Sequence, residues 1–324
     1  MSLNTIRCKA LAGTSLTDAD IRCIIDLSPD RLPELLGHAH AVRTARFGLE
    51  ASLCAIVNAK SGTCSEDCAF CAQSGHHSAQ SPEYPLLPTA DIAAAAARAK
   101  RSGVTRFGIV ASGKLVGDRD LDGFVRAIRA VAELGIKPDL SPGLLDQGQL
   151  EALKRAGLQG YHHNLETSAS YFPKMCTTHA YAEDVAAVRA GLKAGVYVCS
   201  GGIFGIGETW DDRVELALLL RELGVPSVPM NFLTPIPGTP LEDRVPLSPE
   251  EALKTVALYR FLLPDRALRI CGGRLTVFGQ ARKGELLTSG ASGLMVGDYL
   301  TTRGASPGSD LEELQRAGLT PAKE

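Results

Sequence analysis

Five times in this chain a charged helix end runs into a glycine and then an apolar residue: KRSGV at 100–104, AELGI at 132–136, KRAGL at 154–158, LKAGV at 192–196 and RELGV at 221–225. Each unit reads as a helix, a C′ glycine and the start of a strand, because glycine takes the left-handed conformation that ends a helix without steric cost. The segments before these glycines, such as LDGFVRAIRAVAEL and WDDRVELALLLREL, space their apolar residues by three and four, the pattern of an amphipathic helix. The segments after them are short and apolar: TRFGIVAS, LQGYHHNL, VYVCSGGIF and VPSVPMNFL. Adding SLCAIVN, IKPDLS, ALRICGG and SGLMVGD brings the candidate strands to eight, with helical pattern between successive ones. Strict alternation with short connections requires a parallel sheet. Eight strands match a closed α/β barrel of the (β/α)8 TIM type, with an open doubly wound sheet as the rival.

Residues 1–45 read as an N-terminal helical segment, 46–304 as the barrel, and 305–324 as a loosely held C-terminal tail with one short helix at DLEELQRAG. IKPDLS is the weakest strand, since Pro138 and Asp139 suit a buried sheet poorly. Thirty-four basic and 36 acidic residues leave a net charge of −2, which gives no electrostatic reason to expect nucleic acid or an anionic membrane as a partner. There is no apolar run of spanning length and no secretory h-region, so the chain reads as cytoplasmic, with a small neutral or zwitterionic ligand.

Nine cysteines, an odd number spread over 324 residues, do not form the dense even framework of a small secreted domain. Cys8, Cys23 and Cys54 read as inert core thiols. CSEDCAFC is different: Cys64, Cys68 and Cys71 fall within eight positions. Three thiolates with no matching fourth suit a cubane 4Fe–4S cluster whose remaining iron takes a non-protein ligand. A structural zinc completed by His76 or His77 is the alternative on spacing alone. In a barrel the chemistry lies at the C-terminal strand ends. The motifs fall there: CSEDCAFC after strand one, HHNLETS ending strand four, CSGG in strand five, PMN in strand six and RICGGR in strand seven.

CxxxCxxC with Phe70 before its last cysteine resembles the signature of the radical S-adenosylmethionine superfamily. CSEDCAFCAQS, YHHNLETS, VCSGGIFGIGET, VPMNFLTPIPGTPL and RICGGR, in that order, resemble the biotin synthase family. The resemblance implies a 4Fe–4S cluster on Cys64, Cys68 and Cys71 with S-adenosylmethionine on the open iron, and sulfur insertion into dethiobiotin from an auxiliary iron–sulfur cluster. It implies S-adenosylmethionine contacts from Phe70, Asn164, Glu166, Gly201 and Gly202, and dethiobiotin contacts from Asn164 and Asn231. The family carries Asp where this chain has Glu166. A low-potential flavodoxin or ferredoxin is the implied reductant, and homodimers occur in the family.

The chain departs from the family at the auxiliary site. Familiar members hold a 2Fe–2S cluster with one cysteine each from strands two, three and five and an arginine; here Gly108 and Asp139 stand at the first two positions, while Cys199 and Arg269 remain. Cys176 and Cys271 appear where that pattern has none, and residues 269 and 271 share a strand face. The expectation is a relocated auxiliary cluster, 4Fe-type rather than 2Fe–2S, on Cys176, Cys199 and Cys271 with Arg269 nearby; buried thiols without metal are the alternative. Two other functions stay open: a biotin-synthase-like radical enzyme acting on a different small substrate, and a non-catalytic metal-binding scaffold.

Overall fold

The computed structural model describes residues 2–323. Eight strands close into a parallel barrel: strand one (Glu50–Lys60), two (Arg106–Ala111), three (Lys137–Ser141), four (Gly160–His162), five (Tyr197–Cys199), six (Ser227–Phe232), seven (Ala267–Ile270) and eight (Gly293–Met295). Strand eight pairs back onto strand one through Ser52↔Gly293, Leu53↔Leu294 and Cys54↔Met295, which excludes the open sheet. Strand five breaks at Ser200 and resumes as Gly202–Phe204 beside strand six.

The five helix-ending glycines behave as their pattern predicts. Gly103, Gly135, Gly157, Gly195 and Gly224 all have positive φ, between 68° and 109°. In the Schellman manner, the next residue donates back to the carbonyl five positions earlier, as in Val104 to Ala99 (3.3 Å) and Val225 to Leu220 (3.1 Å). The core lies between the helices and the outer faces of the strands, where Phe107, Ile109, Leu140, Val198, Val228, Leu268 and Leu294 are buried. The lumen differs. On strand one the outward residues Ala51, Leu53 and Ala55 are buried, while the alternating Ser52, Cys54, Ile56 and Asn58 keep part of their surface. A period of two sends those four toward the barrel axis, so their residual exposure reports a hollow interior.

IKPDLS is a strand after all. Pro138 passes its carbonyl to Gln159 N–H (2.9 Å), and Asp139 accepts two hydrogen bonds from Arg106 in the lumen. The N-terminal helices are Leu3–Leu11, Asp18–Ile25 and Leu32–Phe47. Buried Arg43 ties the third to the barrel base by donating to the carbonyls of Gly48, Glu50 and Ala291. The tail is not loosely held. Its helix, Pro307–Arg316, buries Leu314 and pairs Asp310 with Arg274 at 2.9 Å, and Thr320–Pro321 bridges to Glu50–Ala51. Much of the Gly, Ser and Pro content that suggests looseness forms the start of this helix, where Ser306 is the N-cap and Pro307 opens the first turn. Among the described residues no helix is long and apolar enough to cross a membrane.

Candidate active site

At the C-terminal mouth of the barrel a cavity of about 400 Å³ opens, within the size range of small-molecule sites. Cys64, Cys68 and Cys71 line it together with Phe70. Backbone hydrogen bonds fold the loop so that its thiols converge: Cys71 N–H donates to the Cys68 carbonyl (2.9 Å), Cys64 N–H to Gln73 (3.0 Å) and Gly75 N–H to Cys64 (2.8 Å). A second loop, 175–179, is zipped against it. Ala69 N–H donates to Met175 (2.8 Å), Thr177 N–H to Asp67 Oδ1 (2.8 Å) and Thr178 Oγ1 to Glu66 Oε2 (2.8 Å).

The hydrogen bond with Cys176 and then burial raise the Cys68 thiol, and burial pushes Cys71 up to about 11. Three cysteine sulfurs opening on one cavity are a donor set that fits an iron–sulfur core, whose positive charge would draw these buried thiols into their ionised form. His76 Nε2 is within 2.9 Å of the Ser65 carbonyl and His77 Nε2 within 3.0 Å of the Cys68 carbonyl. Neither imidazole lines the cavity on which the three thiols open, which disfavours the zinc alternative.

Across the cavity, strand four ends in an irregular stretch. Glu166 has φ of 64°, unusual for a residue with a Cβ. It holds this conformation because its N–H donates to Gly201 O (3.1 Å) and its carbonyl accepts from Ile203 (2.8 Å). A Cβ on Gly202 would stand 2.5 Å from the Glu166 carbonyl oxygen, and one on Gly201 2.0 Å from that of Pro229. These two glycines permit close backbone packing. They do not line the cavity, and Ile203 does so in their place. Asn164 Oδ1 accepts from Gly201 N–H (3.2 Å) and lies 2.9 Å from His162 Nε2, while Asn164 Nδ2 donates to Glu166 Oε2 (3.3 Å). Asn231 is fixed by Gly272 N–H to its Oδ1 (3.0 Å) and by its Nδ2 to Gly202 O (3.3 Å). A carboxamide has two donors and two lone pairs, so half its capacity remains for a ligand.

Burial, and then the charge of Asp184, push Glu166 up to about 8. The folded chain therefore holds a proton there that the unfolded chain releases near the ordinary value of 4.5. Stability of the iron-free protein should fall as pH rises from about 5 to 8, by on the order of a few kcal/mol. Glu166→Gln should flatten that slope, as urea midpoints across the range would read; an unchanged slope would remove Glu166 as its source.

The remaining cysteines are not grouped as expected. Cys176 lies on the second loop, hydrogen-bonded to Cys68 and 3.2 Å from His179 Nδ1. His179 Nδ1 is 2.6 Å from Glu66 and its Nε2 3.1 Å from Asp184, which also meets His163 at 2.8 Å. Asp184 first among its partners raises His179 to about 9. Cys176 thus belongs to the CSEDCAFC loop and is not joined to Cys199 and Cys271. Those two share the lumen with Arg269 and with Cys54, which is therefore not an isolated core thiol. Cys8 is exposed on the first helix rather than buried, and Cys23 packs against the core. Gly108 and Asp139 do face the lumen, and neither offers a thiolate.

The Radical SAM superfamily model matches residues 59–220, and the Biotin and Thiamin Synthesis associated domain matches 229–320. Among curated relatives, the biotin synthase of Geobacter sulfurreducens is 49% identical, covering 96% of this chain and 95% of the relative. That of Syntrophotalea carbinolica is 47% identical, covering 96% of each. Among solved structures, methylornithine synthase superposes with a TM-score of 0.85 at 22% identity, over 98% of this chain and 97% of its own. A hydrogenase maturase from Carboxydothermus hydrogenoformans gives 0.81 at 19%, over 99% and 79%. At such identities these two establish the barrel alone.

Proposed function

This chain belongs to the biotin synthase family, and on that premise we propose how its residues share the work. The reaction is radical S-adenosylmethionine sulfur insertion converting dethiobiotin to biotin, with an auxiliary iron–sulfur cluster as the sulfur donor. The bound cofactors supply the one-electron cleavage of the sulfonium and the sulfur itself. The protein supplies position and dryness. Cys64, Cys68 and Cys71 hold the first cluster, and Phe70 packs beside it. Asn164 and Glu166 face the same cavity and serve the polar groups of S-adenosylmethionine, with Glu166 as acceptor for a ribose hydroxyl. Asn231, already oriented by two backbone bonds, offers its free N–H and lone pair to the ureido ring of dethiobiotin. Phe172, Met175, Leu233 and Ile236 line the walls and limit water around the reacting carbons. A low-potential flavodoxin or ferredoxin delivers the electron, in the cytoplasm.

The observation that carries this reading is convergence: the three-cysteine loop, Asn164, Glu166, Asn231 and Cys271 open on one cavity. The test is anaerobic reconstitution followed by mass-spectrometric detection of biotin formed from dethiobiotin. Asn231→Ala should raise the apparent KM for dethiobiotin about tenfold, the worth of one hydrogen bond to a polar ligand. Asn231→Asp, which keeps the acceptor toward Gly272 but turns its second oxygen toward the Gly202 carbonyl and loses both donors, should lose at least as much. Cleavage of S-adenosylmethionine with no stimulation by dethiobiotin and no biotin would point instead to another small substrate.

A further inference from the structure

Three lumen cysteines surround one arginine. Strand one sends Cys54 inward by its period of two, with Ile56 one layer above it lining the cavity. Cys54 pairs in register with Met295, and Ile270 pairs with Leu294, so Cys54 and Cys271 flank Met295 from its two sides. Cys199, the lumen residue at the end of strand five, pairs with Ser227 and lies 3.3 Å from its hydroxyl. Arg269 Nε donates to that same hydroxyl at 3.1 Å.

The surroundings are those of a site and not of a core. Arg269 is buried, yet its Nη1 has no hydrogen-bond partner. A buried guanidinium nitrogen left unpaired is costly and calls for an acceptor. Arg269 lies close enough to Cys54, Cys199 and Cys271 for its charge to act on each, so the three thiols are gathered around one guanidinium. Arg106, the other lumen guanidinium, is taken by Asp139.

We propose that Cys54, Cys199 and Cys271 ligate the auxiliary cluster, with Arg269 as its hydrogen-bonding counter-cation and Cys176 outside the set. Three thiolates satisfy three irons of a cubane and leave the fourth open, the same arithmetic as CSEDCAFC, whereas a 2Fe–2S core on these residues would need Arg269 itself as the fourth ligand; four irons rather than two per site is the count that separates them. Ligation from strands one, five and seven places the cluster directly beneath the cavity floor at Ile56, Cys271 and Met295. The site rests on the family reading above, which requires an auxiliary cluster somewhere in the chain.

The test separates the two. In a Cys64→Ala, Cys68→Ala, Cys71→Ala background the first cluster is removed, and anaerobic reconstitution reports the second alone by iron count and Mössbauer spectrum. One cubane per chain is expected. Adding Cys54→Ala or Cys271→Ala should bring the iron close to zero, while adding Cys176→Ala should leave it unchanged. In the otherwise native chain, Cys54→Ala should lower total iron about twofold and retain cleavage of S-adenosylmethionine, which also shows that the barrel has folded. Full iron in the Cys54→Ala and Cys271→Ala chains, or its loss in the Cys176→Ala chain, overturns the ligand set while leaving biotin formation intact. A native chain that takes up one cluster and makes no biotin overturns the reading beneath it.

Discussion

Cys68→Ala protein, reconstituted anaerobically, is expected to release 5′-deoxyadenosine only at background and to lose about half its iron. The reason is coordination and not fold. The loop keeps its shape through bonds that do not involve the thiol: Ala69 N–H to Met175 (2.8 Å), Thr177 N–H to Asp67 (2.8 Å) and Ser74 Oγ to the Glu66 carbonyl (2.6 Å). Circular dichroism and melting temperature should therefore stay near those of the native chain. One thiol is placed to interfere with this expectation. Cys176 is hydrogen-bonded to Cys68, and its own partners, His179 and Thr178, would not prevent it from taking over a vacated iron. Residual cleavage in Cys68→Ala that disappears in Cys68→Ala, Cys176→Ala would trace to that substitution. Cleavage that survives the double change would remove CSEDCAFC as the cluster loop.

The barrel was legible because its punctuation is local. A C′ glycine after an amphipathic helix carries its meaning within six residues, and five such units fix the direction of the chain without any long-range knowledge. CSEDCAFC was legible for the same reason. The residues that sequence reasoning misplaced depend on what a segment meets across space. Nothing in KMCTTH says whether its cysteine turns to the lumen or to the cluster loop; Asp67 settles it by accepting from Thr177 and Thr178, residues 110 and 111 positions away. The docked tail escaped notice because its decisive partner, Arg274, lies in another helix. Cys54 is a different kind of miss, because the signal was present. The period-two argument that put Cys271 on the face of Arg269 applies equally to SLCAIVN, where residues 52, 54, 56 and 58 share a side, and polar Ser52 and Asn58 mark that side as the lumen.

The other large effect concerns what stands where the familiar family has its strand-three cysteine. Asp139→Ala should destabilise the iron-free protein by about 3–5 kcal/mol, the cost of leaving a desolvated charge without its partner. Arg106 is buried and grips Asp139 with both edges of its fork, Nε to Oδ2 at 2.9 Å and Nη2 to Oδ1 at 2.6 Å, while the Tyr197 ring lies 4.3 Å from the guanidinium carbon. The pair is packed so closely that a Cβ on Gly160 would stand 2.3 Å from Asp139 Oδ1 and 2.7 Å from Arg106 Nη2. Without Asp139 two guanidiniums, Arg106 and Arg269, would face one lumen with no carboxylate between them, and each already acts against the other's charge. Asp139→Cys, which recreates the family's ligand type, should cost nearly as much, because a thiol cannot offer two oxygens to the fork. Arg106→Met with Asp139→Leu should recover most of the loss by removing both charges together. Urea denaturation of the four proteins, stripped of iron and kept reduced, measures this directly. An Asp139→Ala midpoint that corresponds to a change within about 0.5 kcal/mol would show that water reaches Arg106 and that the lower lumen is wet.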